Sequence, residues 1–393
     1  MTQLLQSGTC QTGRSWVEVD LEAIRRNAAW LKEKVGVGRL LMACVKGDGY
    51  GHGLVQVGWA ALEGGAARLC VAHVEEGVAL RQEGVPAPIQ VLIEPLPEQA
   101  ALFFEHNLIA SISSLEVARE FADRLPGRAK VHVEVDTGMG RVGLKPADVP
   151  AFCRFLEESA VFELEGLFSH LPSCHYRQPD DEQFTRHQIA VFLETVRAVE
   201  AEGRRIPLKH LASSGGVTFF PESYLDMVRP GYLVYGLLLD NPRLPLTPAL
   251  SWKSRVINVL PALKGQGLGY DRNFRPERDT RVAIVAAGYA DGYPRALSNN
   301  SHVLIRGQRA KVVGLVAMDM IMADVGHLPE ARRGDEVVII GRQGDQVITC
   351  RELSKTLGTT VAQVTCGISG RVKRVYLSQR LAKEEDHVPN FLD

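Results

Sequence analysis

The sequence has 393 residues, enough for two domains, and its 45 basic and 46 acidic side chains leave a net charge of −1. No basic block favours a nucleic-acid partner, and no apolar run approaches the about 20 residues of a membrane helix. The seven cysteines are scattered without a C-x-x-C pair, so neither a disulfide framework nor a zinc site is indicated. A reducing cytoplasm is therefore expected. Residues 1–13 lack a signal-peptide pattern and are predicted to form a flexible tail.

Strand-like and helix-like segments alternate through the first 240 residues. Residues 16–19 predict a strand, and Asp20 then caps a helix with regularly spaced apolar positions. The clearest later helices are predicted at 115–124 and 183–202. Eight apolar, strand-like runs recur, at 40–45, 69–72, 89–93, 108–112, 130–135, 164–169, 208–212 and 226–229. This pattern predicts a (β/α)8 TIM-type barrel over residues 14–240, with a doubly wound open sheet as the alternative.

The sequence changes character near residue 240, where Pro242, Pro245 and Pro248 predict a linker. A mainly antiparallel β domain is predicted over 241–380, with a short helix at 351–357. The first strand, at about 15–19, is a candidate member of this domain, and residues 381–393 are expected to form a tail. The β-rich runs lie at 254–260, 281–287, 302–306, 309–317, 320–325, 336–341 and 346–350.

One lysine stands out at the end of the first predicted barrel strand. The segment reads ACVKGDGYGHG, in which Lys46 directly follows an apolar run and precedes four alternating glycines. A lysine ammonium is costly to bury unless it is paired or neutralised, and a covalent link to a carbonyl cofactor is one way to neutralise it. The alternative is an ordinary surface lysine whose ammonium reaches water.

Polar residues also follow the fifth and sixth predicted barrel strands. Glu134 ends the fifth strand, and Arg141 follows inside a G-x-G-x-x-G pattern. The pattern opens no βαβ unit, so we interpret its glycines as a bend that turns Arg141 inward rather than as a dinucleotide site. His170 ends the sixth strand. No carboxylate or cysteine completes a ligand spacing with it, so no metal site is predicted.

The ends of the seventh and eighth strands predict an anion site. The seventh reads LKHLASSGG, with His210 and the small residues 213–216, and the eighth reads MVRPGYLVYG, with Arg229, Gly231 and Tyr232. These positions are the recurrent phosphate site of (β/α)8 barrels, because small residues expose backbone N–H groups and hydroxyls. The alternative is a pair of ordinary glycine-rich turns.

Two segments of the second domain carry notable side chains. GYADGYPR contains Tyr289, and VAMDMIMADV contains Met318 and Asp319. Exposed tyrosine and methionine usually serve packing or interfaces, so these segments alone do not indicate catalysis.

A barrel lysine with a phosphate cradle across the mouth is typical of a site for pyridoxal phosphate. The chain resembles the alanine racemase family, which combines an N-terminal barrel with a C-terminal β domain. The resemblance covers about residues 14–377. Its motifs occur in family order: VKGDGYGHG, DTGMGRVG, VRPGYLVYG, GYADGYPR and AMDM.

The resemblance implies a two-base racemisation of alanine that supplies D-alanine for peptidoglycan. Lys46 would hold the cofactor and act as base on the D-face. Tyr289 would be the base on the L-face, contributed with Met318 by the other subunit of a head-to-tail homodimer. Two bases suit the reaction, because a proton leaves one face of the substrate and returns to the other.

Further roles are implied by the same resemblance. Arg229 would meet the pyridine nitrogen, supported by His210, with His170 near the ring. Arg141 and the Met318 amide would grip the substrate carboxylate, with Glu134 and Asp319 as supporting residues. The groups that would hold the phosphate are Tyr50, Ser214, Gly231 and Tyr232.

The chain departs from the family pattern in three places. Glu134 stands where the family often has a lysine carbamylated by CO2, and we predict that its carboxylate pairs directly with Arg141. Leu315 and Gly370 replace an arginine and a phosphate-binding tyrosine found in some members. Gly47 and Gly49 replace alanines, which predicts a looser loop after Lys46. These differences leave the substrate preference open.

Three alternative functions remain. The first is a racemase for another or several amino acids, such as serine or lysine. The second is a decarboxylase of basic amino acids, but its expected GGGxG and Cys-Glu-x-x-Asp segments are absent from the sequence. The third is a non-catalytic pyridoxal-phosphate carrier built on a lone barrel, against which the second domain and Tyr289 argue.

Overall fold

The computed structural model describes residues 13–175, 178–237 and 244–377. Of the predicted tails, residues 1–12 and 381–393 lie outside the described residues, as does Pro242 of the predicted linker. In the described part of the chain, no helix combines the length and the apolar character that crossing a membrane requires.

Eight parallel strands close into a barrel, as predicted, so the alternative of an open sheet is wrong. Their apolar residues alternate between two environments. In β2, Leu41 and Ala43 face the surrounding helices, while Met42 and Cys44 face the barrel interior with Cys70 and Met227. The barrel strands are β2 (Leu40–Cys44), β3 (Arg68–Val71), β4 (Ile89–Val91), β5 (Leu108–Ile112), β6 (Ala129–Glu134), β7 (Phe162–Phe168), β8 (Leu208–His210) and β9 (Met227–Val228).

Helices follow the barrel strands and pack their apolar faces outside the barrel. Asp20 caps the first helix as predicted, and its carboxylate accepts a hydrogen bond of 2.9 Å from the Ala23 N–H. The helices of this part are α1 (Leu21–Val35), α3 (Leu54–Glu63), α4 (Val74–Gln82), α5 (Ala100–Glu105), α6 (Leu115–Arg124), α7 (Val149–Glu158), α8 (Pro179–Ala201) and α9 (Ser214–Phe219), and the label α2 denotes the short left-handed segment Lys46–Tyr50 at the barrel mouth.

The second sheet has nine strands in the order β16-β15-β12-β13-β14-β11-β10-β1-β17. It is antiparallel except for the pairing of β1 with β17. Its strands are β1 (Ser15–Asp20), β10 (Leu250–Ala262), β11 (Thr280–Val285), β12 (His302–Ile305), β13 (Gln308–Val313), β14 (Ile321–Asp324), β15 (Glu336–Gln343), β16 (Gln346–Ile348) and β17 (Lys373–Leu377).

Two details of the second sheet differ from the sequence prediction. The run predicted at 309–317 ends at Val313, because Gly314 adopts φ +73° and turns the chain away from the strand. The short helix predicted at 351–357 is present as α10 (Cys350–Leu357), but α11 (Val361–Cys366) follows it and was not predicted.

The last strand connects the second sheet to the barrel mouth. Arg374 donates a hydrogen bond of 3.2 Å to the carbonyl of Gly51, in the loop after Lys46. Gly53 of the same loop leaves no room for a side chain, because an added Cβ would lie 2.0 Å from the Tyr376 hydroxyl. The second sheet therefore fixes the loop that carries the lysine.

Candidate active site

A cavity of about 750 Å³ opens at the carboxyl end of the barrel strands. This is the end at which barrel enzymes place their chemistry. The cavity is lined by most of the residues that the sequence singled out: Lys46, Tyr50, Glu134, Arg141, His170, Ser214, Arg229, Gly231 and Tyr232. His210 is fully buried beneath it.

Lys46 begins a left-handed turn. Gly47, Asp48, Gly49 and Tyr50 all have φ between 52° and 64°. Glycine adopts this conformation without the steric cost that a side chain incurs. The Gly47 N–H donates a hydrogen bond of 2.6 Å to the carboxylate of Glu76, which caps the turn from α4. The two glycines, predicted to loosen this loop, instead accommodate a turn fixed by hydrogen bonds.

Ser214 and Gly231 form a cradle of small groups in the same cavity as the lysine. The Ser214 hydroxyl accepts a hydrogen bond of 3.1 Å from the Gly231 N–H and keeps its own hydrogen for a ligand. An added Cβ at Gly231 would lie 2.4 Å from the Tyr50 hydroxyl, so only glycine fits there. The Tyr50 ring packs edge-on against Tyr232 at 5.8 Å. The hydroxyls of Ser214 and Tyr50 therefore both lie beside Gly231, where an anion site needs hydrogen-bond donors.

Arg229 is buried at the floor of the cavity and held on two sides. Its guanidinium donates to the Ser169 carbonyl at 2.7 Å and to His210 Nδ1 at 2.7 Å. Burial and the nearby Arg229 charge hold the pKa of His210 well below its ordinary value, so this imidazole is neutral. The His210 nitrogen thus accepts a hydrogen bond from Arg229 and orients it. This contact is the one expected if His210 supports Arg229.

A chain of hydrogen bonds continues from His210 away from the cavity. Because His210 Nδ1 accepts from Arg229, its Nε2 carries the proton and donates to His132 Nδ1 at 2.8 Å. His132 Nε2 then donates to Glu165 at 2.9 Å, and Arg68 donates to the same carboxylate at 2.6 Å. With one set of histidine tautomers, every hydrogen bond in this series has one donor and one acceptor.

His132 and Glu165 were not among the site residues predicted from the sequence. The available signal was a polar residue inside each apolar strand, in VHVEV of β6 and FELEG of β7. A polar side chain buried in a barrel strand needs a partner on a neighbouring strand. The sequence does not show that these two partners meet beneath Arg229.

Removal of the Glu165 carboxylate is expected to destabilise the barrel strongly. Burial favours the neutral acid, yet hydrogen bonds from His132 and Arg68 hold the pKa of Glu165 below its ordinary value. Replacing Glu165 by alanine would leave Arg68 buried without its charge partner, and we expect a loss of about 3–5 kcal/mol in unfolding free energy.

Urea denaturation of the Glu165→Ala variant checks this expectation. The matched control is Glu163→Ala on the same strand, because Glu163 is half-exposed and lies 3.9 Å from Lys130. The control is expected to change the unfolding free energy by less than about 1 kcal/mol. Equal effects of the two substitutions would contradict a structural role of the buried ion pair.

Glu134 is buried in the cavity wall, whereas the side chain of Arg141 is exposed to solvent. Their closest nitrogen and oxygen atoms are 3.9 Å apart, which is an ion-pair distance but too long for a hydrogen bond. Burial raises the pKa of Glu134 to about 7, against the opposing influence of Arg229 and Arg141. His170, by contrast, is kept neutral because burial and the charge of Arg229 lower its pKa to about 3.

Tyr289, Met318 and Asp319 do not line the cavity of their own chain. The Tyr289 side chain is 42% exposed and that of Met318 is 51% exposed. Their two loops are joined by hydrogen bonds, of which Tyr289 N–H to the Ala317 carbonyl is 3.0 Å. Arg371 ties the loops together from outside through Asp291 and Asp319, at 2.8 and 2.7 Å. The loops therefore present Tyr289 and Met318 side by side on the surface.

The donor set of the cavity suits an organic anion better than a metal. Within the described residues, no three histidine, cysteine, aspartate or glutamate side chains form a cluster that could hold a metal ion. A primary amine, a buried guanidinium and a cradle of hydroxyl and backbone groups share the cavity. These groups fit a phosphorylated carbonyl cofactor, which needs an amine for its aldehyde and donors for its phosphate.

Comparisons with known proteins agree with this geometry. Residues 19–239 match the family model "Alanine racemase, N-terminal domain", and residues 249–376 match "Alanine racemase, C-terminal domain". The chain is 39% identical over 374 residues to an alanine racemase of Halothermothrix orenii, covering 93% of this chain and 97% of the relative. It is 42% identical over 372 residues to an alanine racemase of Symbiobacterium thermophilum, covering 92% and 97%.

The fold comparison gives the same result. The crystal structure of alanine racemase from Bacillus anthracis with bound L-Ala-P has a TM-score of 0.87 and 34% sequence identity, covering 93% of this chain and 95% of that chain. Both parts of the chain and nearly the full length of its relatives are matched. The chain therefore belongs to the alanine racemase family, whose members are pyridoxal-phosphate-dependent enzymes.

Proposed function

We propose that this chain interconverts L-alanine and D-alanine as a homodimer that uses pyridoxal 5'-phosphate. The observation that carries the proposal is the cavity itself, which Lys46, Arg229 and the Ser214–Gly231 cradle line together. Alanine is proposed as the substrate because the relatives are alanine racemases, and sequence identity near 40% over almost the full length supports this assignment. Supply of D-alanine for peptidoglycan in the cytoplasm is the matching cellular role.

The residues present can hold each part of the cofactor. Lys46 would bind its aldehyde, and Ser214, Gly231, Tyr50 and Tyr232 would hold its phosphate. When bound, pyridoxal phosphate acidifies the Cα–H of an attached amino acid by withdrawing electrons. Around it, His170 would lie beside the ring as a neutral imidazole, because burial lowers its pKa.

Arg229 would set the electronic character of the ring through its nitrogen. A guanidinium donates a hydrogen bond but does not release its proton, so the ring nitrogen would stay unprotonated. This limits charge withdrawal and disfavours transamination, a side reaction of long-lived carbanions. The bond from Arg229 to neutral His210 keeps the donor fixed in that role.

A second base would come from the partner subunit. Lys46 would act on the D-face of the substrate, and the partner subunit's Tyr289 on the L-face. The exposure of Tyr289 and Met318 on one surface supports this arrangement, because neither side chain lines the cavity of its own chain. Association through that surface would cover both residues and complete two sites in each dimer.

The substrate carboxylate would be held by Arg141 and by the backbone N–H of Met318 from the partner. Glu134 would position Arg141 with a carboxylate that forms without CO2, replacing the carbamate that other family members form with CO2. The 3.9 Å separation of the two side chains supports such a pairing when substrate draws Arg141 inward. Depletion of CO2 is then expected to leave activity unchanged.

Substrate affinity should depend on the ionisation of Glu134. The pKa of Glu134 is raised to about 7 by burial, so its negative charge is present above that pH and lost below it. We expect the KM for alanine to rise about two- to fivefold as pH falls through about 7. Steady-state kinetics of the native enzyme and of Glu134→Gln between about pH 6 and 8.5 measure this.

The Glu134→Gln variant is expected to keep a high KM across the whole pH range. Glu163→Gln, outside the cavity, is the control and should follow the native profile. A KM that varies identically in native enzyme and Glu134→Gln would contradict the role of Glu134, as would loss of activity on CO2 depletion.

The proposed reaction is tested by incubating the purified protein with pyridoxal phosphate and L-alanine in D2O. Loss of optical rotation together with deuterium at Cα is the expected result. A panel containing serine and lysine then measures the substrate range. Bound cofactor without exchange into any amino acid would overturn the proposal in favour of a carrier. Exchange that is faster with another amino acid would overturn alanine as the substrate.

A further inference from the structure

Two cysteines that are far apart in the sequence lie side by side in the cavity wall. Cys44 ends β2 and Cys70 lies in β3, and the register of the two parallel strands pairs them directly. Both thiols face the barrel interior, where they form a small buried cluster with Met42 and Met227. Both also line the cavity that holds Lys46. The proposed reaction uses neither of them.

The backbone geometry is compatible with a covalent link between these residues. Neighbouring strands lie about 4.7–4.9 Å apart, and residues in direct register share that spacing. Disulfides join residues whose Cα atoms are about 4.4–6.8 Å apart. A disulfide also needs Cβ atoms about 3.5–4.5 Å apart, so two side chains that leave the sheet on the same face can be bridged by rotation about χ1 together with a small approach of the two strands.

The surroundings of Cys44 favour its reactive, ionised form. A hydrogen bond from Cys70 and the charge of Lys46 lower the pKa of Cys44 against the opposing effect of burial, while the same hydrogen bond and burial raise the pKa of Cys70. The thiolate is the form that attacks peroxides, and a neighbouring thiol is the usual resolving partner. The other buried cysteine thiols of the described residues, such as Cys153 in α7, do not line this cavity.

We infer that Cys44 and Cys70 form a peroxide-sensitive thiol pair in the wall of the active-site cavity. The Cys44 thiolate attacks one oxygen of hydrogen peroxide, the O–O bond breaks, and hydroxide leaves with the electron pair. The resulting sulfenic acid is then attacked by the sulfur of Cys70, which loses its proton as the S–S bond forms and water departs. In total two thiols are oxidised and one peroxide is reduced to two water molecules.

The link would act on the cofactor site through Tyr50. The Cys44 sulfur lies 3.7 Å from the Tyr50 hydroxyl, which stands beside Gly231 in the anion cradle. Formation of the disulfide redirects this sulfur toward Cys70 and removes its contact with Tyr50. We expect pyridoxal phosphate to dissociate about two- to tenfold more readily from the oxidised protein. This effect on the cofactor rests on the proposed function, whereas formation of the disulfide does not.

The test is exposure of the purified full-length protein to hydrogen peroxide, followed by digestion without reductant. The expected result is a disulfide-linked peptide pair containing Cys44 and Cys70, reversed by dithiothreitol, with two fewer titratable thiols among the seven cysteines. In Cys70→Ala the linked pair should be absent, and dimedone should instead label Cys44 as a sulfenic acid. Cys153→Ala is the matched control and should form the link as the native protein does.

Three outcomes would overturn the inference. The first is a native protein in which Cys44 and Cys70 both remain open to alkylation after denaturation. The second is a link from Cys44 to Cys366, the cysteine beside Gly47. The third is a Cys70→Ala variant that still loses two titratable thiols on exposure to hydrogen peroxide. The disulfide is detected whether or not the protein racemises alanine, so its failure is distinguishable from failure of the proposed function.

Discussion

Replacing Tyr289 by phenylalanine is expected to lower racemisation about 10²- to 10⁴-fold while leaving one half of the hydrogen exchange intact. The size of the loss is that of removing a positioned general acid–base group. Phenylalanine keeps the ring and its packing but lacks the hydroxyl that would transfer the proton. Lys46 remains in the cavity with the Ser214–Gly231 cradle, so the cofactor should stay bound.

The direction of the residual exchange identifies which base was removed. In D2O, the Tyr289→Phe variant should still exchange the Cα hydrogen of D-alanine through Lys46, and should fail to exchange that of L-alanine. Mass spectrometry of each enantiomer after incubation measures this asymmetry. Tyr270→Phe is a matched control, because Tyr270 is an exposed tyrosine of the same sheet region. Equal exchange of both enantiomers by Tyr289→Phe would contradict a two-base site.

Replacing Lys46 by alanine is expected to abolish activity, with a loss of at least about a thousandfold, and to release the cofactor on dialysis. The amine is the group that would hold the aldehyde, and no other lysine lines the cavity in the part of the chain described by the structure. Lys355→Ala on the exposed face of α10 is the control for removal of a charge. Cofactor absorbance and racemisation together report the result.

Mixing the two inactive variants should restore activity if each site is built from two chains. In a Lys46→Ala and Tyr289→Phe heterodimer, one site has both defects, and the other combines the intact Lys46 of one chain with the intact Tyr289 of its partner. Random pairing of equal amounts makes half of the dimers mixed, so about a quarter of native activity is expected. If Tyr289 served the cavity of its own chain, no mixed dimer would have a complete site and the mixture would stay inactive.

The sequence by itself determined the strands of the first domain and where their carboxyl ends lie. Eight apolar runs of strand length separated by amphipathic stretches have few solutions other than a closed parallel barrel or an open sheet, and the observed strands fall within or beside those runs. Polar residues directly after apolar runs then mark the carboxyl ends of strands. Lys46, His170 and Arg229 were predicted at the mouth on this basis and do line one cavity.

Cross-strand partnerships were decided only by the tertiary structure. Glu165 is 33 residues from His132, and Cys70 is 26 residues from Cys44, yet each pair meets because barrel closure sets the register between strands. Register depends on the packing of all eight strands at once, so spacing along the chain does not contain it. The series of buried hydrogen bonds from Arg229 to Glu165 therefore cannot be predicted from the sequence, although the polar residues that form it can be identified in the strands.

In the loop after Lys46, the local sequence and the tertiary structure point to different degrees of order. The glycines at 47 and 49 predicted a looser segment, because glycine is the most flexible residue in isolation. In the folded chain Glu76 from α4 and Arg374 from β17 hold that segment in a left-handed turn. Local sequence thus determined which conformations were permitted, and tertiary hydrogen bonds from distant elements helped to select the one that forms, because they offset part of the entropy of ordering the loop.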